Sequence, residues 1–319
     1  MQPAFSVIFL TTFIGAGQGL FLALVAVESG AAWGLFPPPR DAAFYAGGSL
    51  LALGLLGAGL VASFFHLGRP ERAWRSAAKW RTSWLSREVI VMPAFMGAVA
   101  LWGFLHWSGW NPAPGFAASA WLGLAGAALA LLLYVCTAMI YACLKFLREW
   151  HSPLTVANYI LLGAASGFTL AAAWAAQVAP AMTDFLAPTA LALIVAAAAS
   201  RGASLARNRR LRPVSTIQTA IGVKHPRITQ ISRGFTADAF NLREFFHGRS
   251  RRWLRGTKAF FLVAAFAVPA LLVAASLATG SAAALAAAFA VQMLGLFAER
   301  WFFFAEANHP QNLYYQAVA

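Results

Sequence analysis

The chain has 319 residues, 60% of them hydrophobic and only 11% charged, with a mean hydropathy of +0.66. Soluble domains carry about 25% charged residues, so there is too little polar surface here to cover a water-exposed globule. The formal net charge of +14 belongs to a polytopic membrane chain, where basic residues report topology. No zinc-finger, RNA-binding or helix-turn-helix pattern accompanies it, which argues against nucleic acid as a partner.

A helix needs about 20 apolar residues to cross a bilayer, so gaps between charges locate the spans. No Lys or Arg precedes Arg40, which argues against a cleaved leader with a basic n-region, and the first apolar segment is expected to stay in the mature protein. The gaps predict an all-α integral membrane protein with eight transmembrane helices, near 5–27, 43–66, 89–106, 117–144, 154–179, 185–203, 259–277 and 281–304. The third and fourth spans divide at His106-Trp-Ser-Gly-Trp-Asn-Pro-Ala-Pro-Gly115, and the seventh and eighth at Ala278-Thr-Gly-Ser281. The sixth rests on a short charge-free gap, Phe185–Ser200, and needs Asp184 or Arg201 to snorkel; without it the count falls to seven. The whole chain reads as one membrane domain, with a basic cytoplasmic segment over 201–258.

Basic residues settle the expected orientation. The 2–3 connection carries Arg69, Arg72, Arg75, Lys79, Arg81 and Arg87, the 4–5 connection Lys145 and Arg148, and Arg300 closes the chain. With the run from Arg201 to Lys258 these all fall on one side, and Arg40 stands alone on the other. The positive-inside rule places both termini and the basic connections on the cytoplasmic side of the inner membrane. Trp107, Trp110, Trp150 and Trp301 near predicted helix ends read as interfacial anchors.

Metal chemistry finds little support. Cys136 and Cys143 lie in one apolar stretch, lack ligand neighbours and read as small buried hydrophobes, which argues against a zinc or iron–sulfur site in this chain. All six histidines fall at span ends or in connections, so none pairs with another at membrane depth to hold a haem.

Polar residues near span ends are the functional candidates, because ionisable groups inside a membrane are costly. Gln18 and Glu28 accompany the first span, and Glu299 with Arg300 closes the eighth, either as a second polar site or as a satisfied pair. The densest feature runs from His66-Leu-Gly-Arg-Pro-Glu-Arg-Ala to Ser83-Trp-Leu-Ser-Arg-Glu88 and joins spans 2 and 3. His66 falls at the end of helix 2 and Glu88 in the first turn of helix 3, positions the helix dipoles favour, with Ser86 as a natural N-cap. Spacing alone favours a bland reading, a basic amphipathic connector on the lipid surface between two capped helices. The chemical reading adds a histidine and a carboxylate at similar depth, able to exchange the protons of a quinol headgroup.

These two motifs resemble the signature of the dimethyl sulfoxide reductase membrane-anchor family. The resemblance extends to the stretch from Ser232-Arg-Gly-Phe to Asn241-Leu-Arg-Glu-Phe-Phe-His247, to Glu299-Arg300 and to the eight-helix count. It implies two packed four-helix bundles without haem, anchoring a molybdopterin catalytic subunit and a four-cluster iron–sulfur subunit in anaerobic respiration. It also implies oxidation of menaquinol or ubiquinol at the anchor, with His66 and Glu88 as the catalytic positions. Gly68, Arg69, Arg72, Ser86 and Arg87 would surround the headgroup, and residues 201–258 would dock the iron–sulfur subunit. Terminal substrate and direction of electron flow stay open. The rival readings are a secondary transporter and a structural anchor without a quinone site.

Overall fold

The computed structural model describes residues 1–39, 43–110, 117–213, 215–231 and 244–314. Arg40, most of the break after His106, and the family-like stretch over 232–243 lie outside the described residues. Among the described residues, eight helices are long and apolar enough to cross a membrane. They are α1 (Phe5–Ala32), α2 (Ala43–Phe64), α3 (Trp84–Ser108), α4 (Ala118–Ala142), α5 (Pro153–Val178), α6 (Thr183–Arg209), α7 (Arg251–Thr279) and α8 (Ala282–Glu306). Helices satisfy every backbone group internally, which apolar segments in lipid require.

Serine caps set several starts. Ser152, Ser250 and Ser281 accept N–H groups in the first turns of α5, α7 and α8. The cap of α3 is Ser83, not Ser86: the Ser83 hydroxyl accepts the N–H of Ser86, which itself is buried. Helix α3 therefore begins before the charge-free gap, and Glu88 sits beyond the first turn. Because α6 runs on to Arg209 and α7 begins at Arg251, the ends of the expected 201–258 connection are helical. Charged residues there extend the helices instead of ending them.

The eight helices form two rings of four. Helix α1 packs on α2, α2 on α3, α3 on α4, and α4 closes back on α1. Helices α5, α6, α7 and α8 close a second ring in the same way. The rings meet where α1 packs on α5 and α8, and α4 on α5; α1 and α5 are the most deeply buried spans. At that seam Gly19 and Gly167 let the two backbones touch, and a Cβ on either would collide with the other helix's main chain. In α7 the turn over Val263–Ala267 is a π-bulge just before Pro269. Proline lacks the N–H an α-turn needs, so the ladder is interrupted at this point. Gly295 of α8 fits against the bulge, where a side chain would strike the Ala264–Ala265 backbone.

Two sequence expectations change in three dimensions. Cys136 is buried but Cys143 is exposed at the end of α4. Trp107 and Trp110 are exposed, whereas Trp150 is buried and its indole N–H donates to the Phe303 carbonyl at 2.9 Å. Trp150 is thus a packing residue that joins the 4–5 connection to α8, not an interfacial anchor.

Candidate functional site

Glu88 lies on the inner face of α3, 8% exposed, and the Thr137 hydroxyl of α4 donates to its Oε1 in a short hydrogen bond. It borders a cavity of about 20 Å³ at the seam between the two rings. Thr11, Gln18, Tyr134, Ser166 and Arg300 line the same cavity, so α1, α3, α4, α5 and α8 all contribute to it. The Gln18 amide donates to the Ala130 carbonyl at 2.8 Å, and the Tyr134 hydroxyl to the Gly15 carbonyl at 2.7 Å. Such a space has room for about one water molecule with several polar partners, and none for an aromatic headgroup.

Arg300 enters the cavity from α8. Its guanidinium lies 3.8 Å over the Tyr159 ring, and Tyr159 stacks on Tyr141 at 5.8 Å. Behind it, Glu299 forms an ion pair with Arg201 of α6, Oε1 to Nε at 2.7 Å, both side chains 1% exposed. Glu299 Oε2 also faces Arg300 Nη1 at 3.6 Å, and Arg201 Nη1 faces Glu306 Oε2 at 3.7 Å. Arg201 and Arg300 thus belong to a buried network, although the charge pattern assigned both to topology. A guanidinium at this depth survives because two carboxylates compensate its charge.

The 2–3 connection is different in kind. His66 is exposed beyond the end of α2, and partial burial lowers its pKa from the ordinary 6.5. Gly68, Arg69 and Arg72 are exposed, and Arg72 pairs loosely with Glu71 at 3.7 Å. Pro70–Lys79 forms a 3₁₀ helix with no buried residue. Arg87 stacks over Trp84 at 4.1 Å and donates to the carbonyls of Trp80 and Arg81, both at 2.9 Å. Its guanidinium holds the connection against the start of α3. The structure therefore brings Glu88 together with Arg300 at one cavity, while His66, Gly68, Arg69 and Arg72 are not among the residues lining it.

One histidine–carboxylate pair does form, at the other end of the bundle. His106 of α3 approaches Glu28 of α1, Nε2 to Oε1 at 3.2 Å, and the Trp102 indole donates to Glu28 Oε2 at 3.0 Å. Tyr45 of α2 stacks on His106 at 4.3 Å. Glu28 stood out in the sequence, but its partner did not. The signal that could have found it was span alternation, which brings the C-terminal ends of helices 1 and 3 to one face. Thr137, Tyr134 and Tyr159 carried no sequence signal, because neutral polar residues are common inside membrane helices. Among the described residues there is no cluster of three or more metal-ligating side chains.

The eight spans form a polytopic helical bundle with a buried carboxylate at the seam of its two rings, which defines an integral membrane protein with one polar site between its halves. The family model "DMSO reductase anchor subunit (DmsC)" matches residues 3–230, and the chain belongs to that family. It is an anchor subunit of a molybdoenzyme complex. It is 54% identical to a sulfite dehydrogenase subunit of Allochromatium vinosum over an alignment of 327 positions covering all of both chains. It is also 31% identical to the anaerobic dimethyl sulfoxide reductase chain YnfH of Escherichia coli K12 over 190 positions, 59% of this chain and 65% of that one.

Proposed function

We propose that this chain is the quinone-reactive anchor of a sulfite-oxidising molybdoenzyme complex, taking electrons from an iron–sulfur partner and delivering them to quinone. The observation that carries a proton-coupled role is Glu88, a carboxylate buried beside a water-sized polar cavity between the two rings. The direction rests on the end-to-end likeness to a sulfite dehydrogenase subunit. It runs opposite to the quinol oxidation that the sequence resemblance implied. Sulfite and water give sulfate, two electrons and two protons; quinone takes up two electrons and two protons to become quinol.

In this reading the cavity is too small for the quinone ring, so Glu88 exchanges protons through a water and does not bind the headgroup itself. The headgroup binds nearer the membrane surface, where His66 is accessible and holds a proton only at acidic pH. Arg69 and Arg72 are exposed a few residues on, Arg72 held only by its loose pair with Glu71, and can meet the headgroup or an acidic partner surface. Arg87 positions the connection, and Ser83 caps the first turn of α3 by accepting the N–H of Ser86. The iron–sulfur and molybdopterin subunits dock on the basic face, which the positive-inside rule makes cytoplasmic.

The test is sulfite-dependent reduction of a water-soluble ubiquinone analogue by membranes containing the intact complex. Activity in the wild type that falls in Glu88→Gln, with all subunits still assembled, is the expected result. Sulfoxide-dependent quinol oxidation without sulfite activity would reverse the direction; the YnfH match favours this second reading. Unchanged turnover in both Glu88→Gln and His66→Ala would reduce the chain to a structural anchor.

A further inference from the structure

A second and much larger recess lies on the lipid-facing side, away from the Glu88 cavity. It is a groove of about 930 Å³ between the first turns of α1, the first turns of α7 and the last turns of α8. Span alternation puts all three of these helix ends at the basic face. The groove is layered. Its walls are apolar, with Phe5 and Phe9 from α1, Phe260 from α7, and Leu294 and Phe297 from α8. Its mouth carries Arg249 and Arg252 with the Ser250 hydroxyl between them, and no acidic residue among the described residues lines it. Both arginines are exposed, and neither forms an ion pair with a carboxylate among the described residues. The Arg249 guanidinium rests 5.5 Å over the Trp253 ring, an interfacial aromatic that holds it at the mouth.

We propose that this groove is a binding site for an anionic phospholipid, its phosphate between Arg249 and Arg252 and an acyl chain along the phenylalanines. Charge complementarity selects the occupant. Two exposed guanidiniums with no carboxylate partner among the described residues attract a negative headgroup, and apolar walls inside the hydrocarbon layer accept an acyl chain. A quinone is uncharged and leaves both arginines uncompensated. An acidic water-soluble protein neutralises the arginines but cannot fill an apolar recess at bilayer depth. The bound lipid seals the seam between the two rings, because α1 belongs to one and α7 and α8 to the other. The site is independent of the Glu88 cavity and of the direction of electron flow.

The experiment uses the purified, delipidated complex in a neutral detergent, with phosphatidylglycerol and phosphatidylcholine of matched chains as probes. Binding is read by native mass spectrometry and by thermal stabilisation. The expected result is roughly a ten-fold preference for phosphatidylglycerol, which weakens as salt rises. The Arg249→Gln/Arg252→Gln pair should abolish the preference, while Arg255→Gln, on the same helix but outside the groove, should keep it. Equal binding of both lipids, a preference indifferent to salt, or a preference retained by the double variant would overturn the proposal. So would displacement of phosphatidylglycerol by a ubiquinone analogue at stoichiometric concentration. The salt series in wild type decides the matter even if the double variant fails to assemble.

Discussion

Glu299→Gln is expected to be among the most destabilising single substitutions in the chain. Glu299 is 1% exposed and faces two guanidiniums at once, Arg201 at 2.7 Å and Arg300 at 3.6 Å. Removing its charge leaves Arg201 with Glu306 alone, at 3.7 Å and partly solvated, and leaves Arg300 with the face of Tyr159. Breaking a buried pair by deleting one partner costs about 3–5 kcal/mol, because the remaining charge stays desolvated. Glu306→Gln, whose side chain is 18% exposed, should cost about 1 kcal/mol or less, since water screens what is lost. Replacing both members of the tighter pair, Arg201→Met with Glu299→Leu, should recover the share of the loss that belongs to Arg201, because that guanidinium no longer stays buried without its partner, while Arg300 still lacks Glu299. The assay is thermal denaturation of the assembled complex in one detergent. Equal melting temperatures for Glu299→Gln and Glu306→Gln would refute the reasoning, as would a double variant no more stable than Glu299→Gln.

Other outcomes follow from the same geometry. Glu88→Gln should lower quinone-linked turnover by at least about ten-fold while the complex still assembles, and Thr137→Val, which removes only the hydrogen bond to Glu88, should have a smaller effect measured in the same assay. Gly167→Val places a side chain against the Gly19 backbone and should abolish assembly, measured as loss of the intact complex in size-exclusion chromatography, whereas Gly57→Val, in open space on α2, should be tolerated. Partial burial lowers the pKa of His66 from 6.5, so the native state binds fewer protons than the unfolded chain just below that value. Stability should therefore decline slightly as pH falls through 6.5 towards the lowered pKa, and His66→Gln should flatten that limb in denaturation scans from about pH 7.5 to 5.

Parts of this structure were readable from one dimension, and the residues tell which. Charge-free gaps located the helices because an unpaired charge in hydrocarbon is costly wherever it stands. The motif around His66 and Glu88 was visible because it is contiguous and rich in unusual residues. Errors arose where a charge was paired. Arg201 looked like one more topology determinant, yet it is 1% exposed, and only its meeting with Glu299 on a distant helix makes that possible. Trp150 and Ser86 were misjudged for a related reason, since capping and burial depend on where the chain turns next.

Composition and hydropathy by themselves determined the membrane class, the eight helices and the polar residues eligible for chemistry, because each follows from the transfer energy of individual side chains. Only the tertiary structure decided which of those residues meet. It put Glu88 at a one-water cavity with Arg300, kept His66 outside that cavity, and paired Glu28 with His106 at the opposite end. The physical reason is range: desolvation acts on each residue where it stands, whereas an ion pair or a shared cavity depends on a few ångströms between helices far apart in the chain.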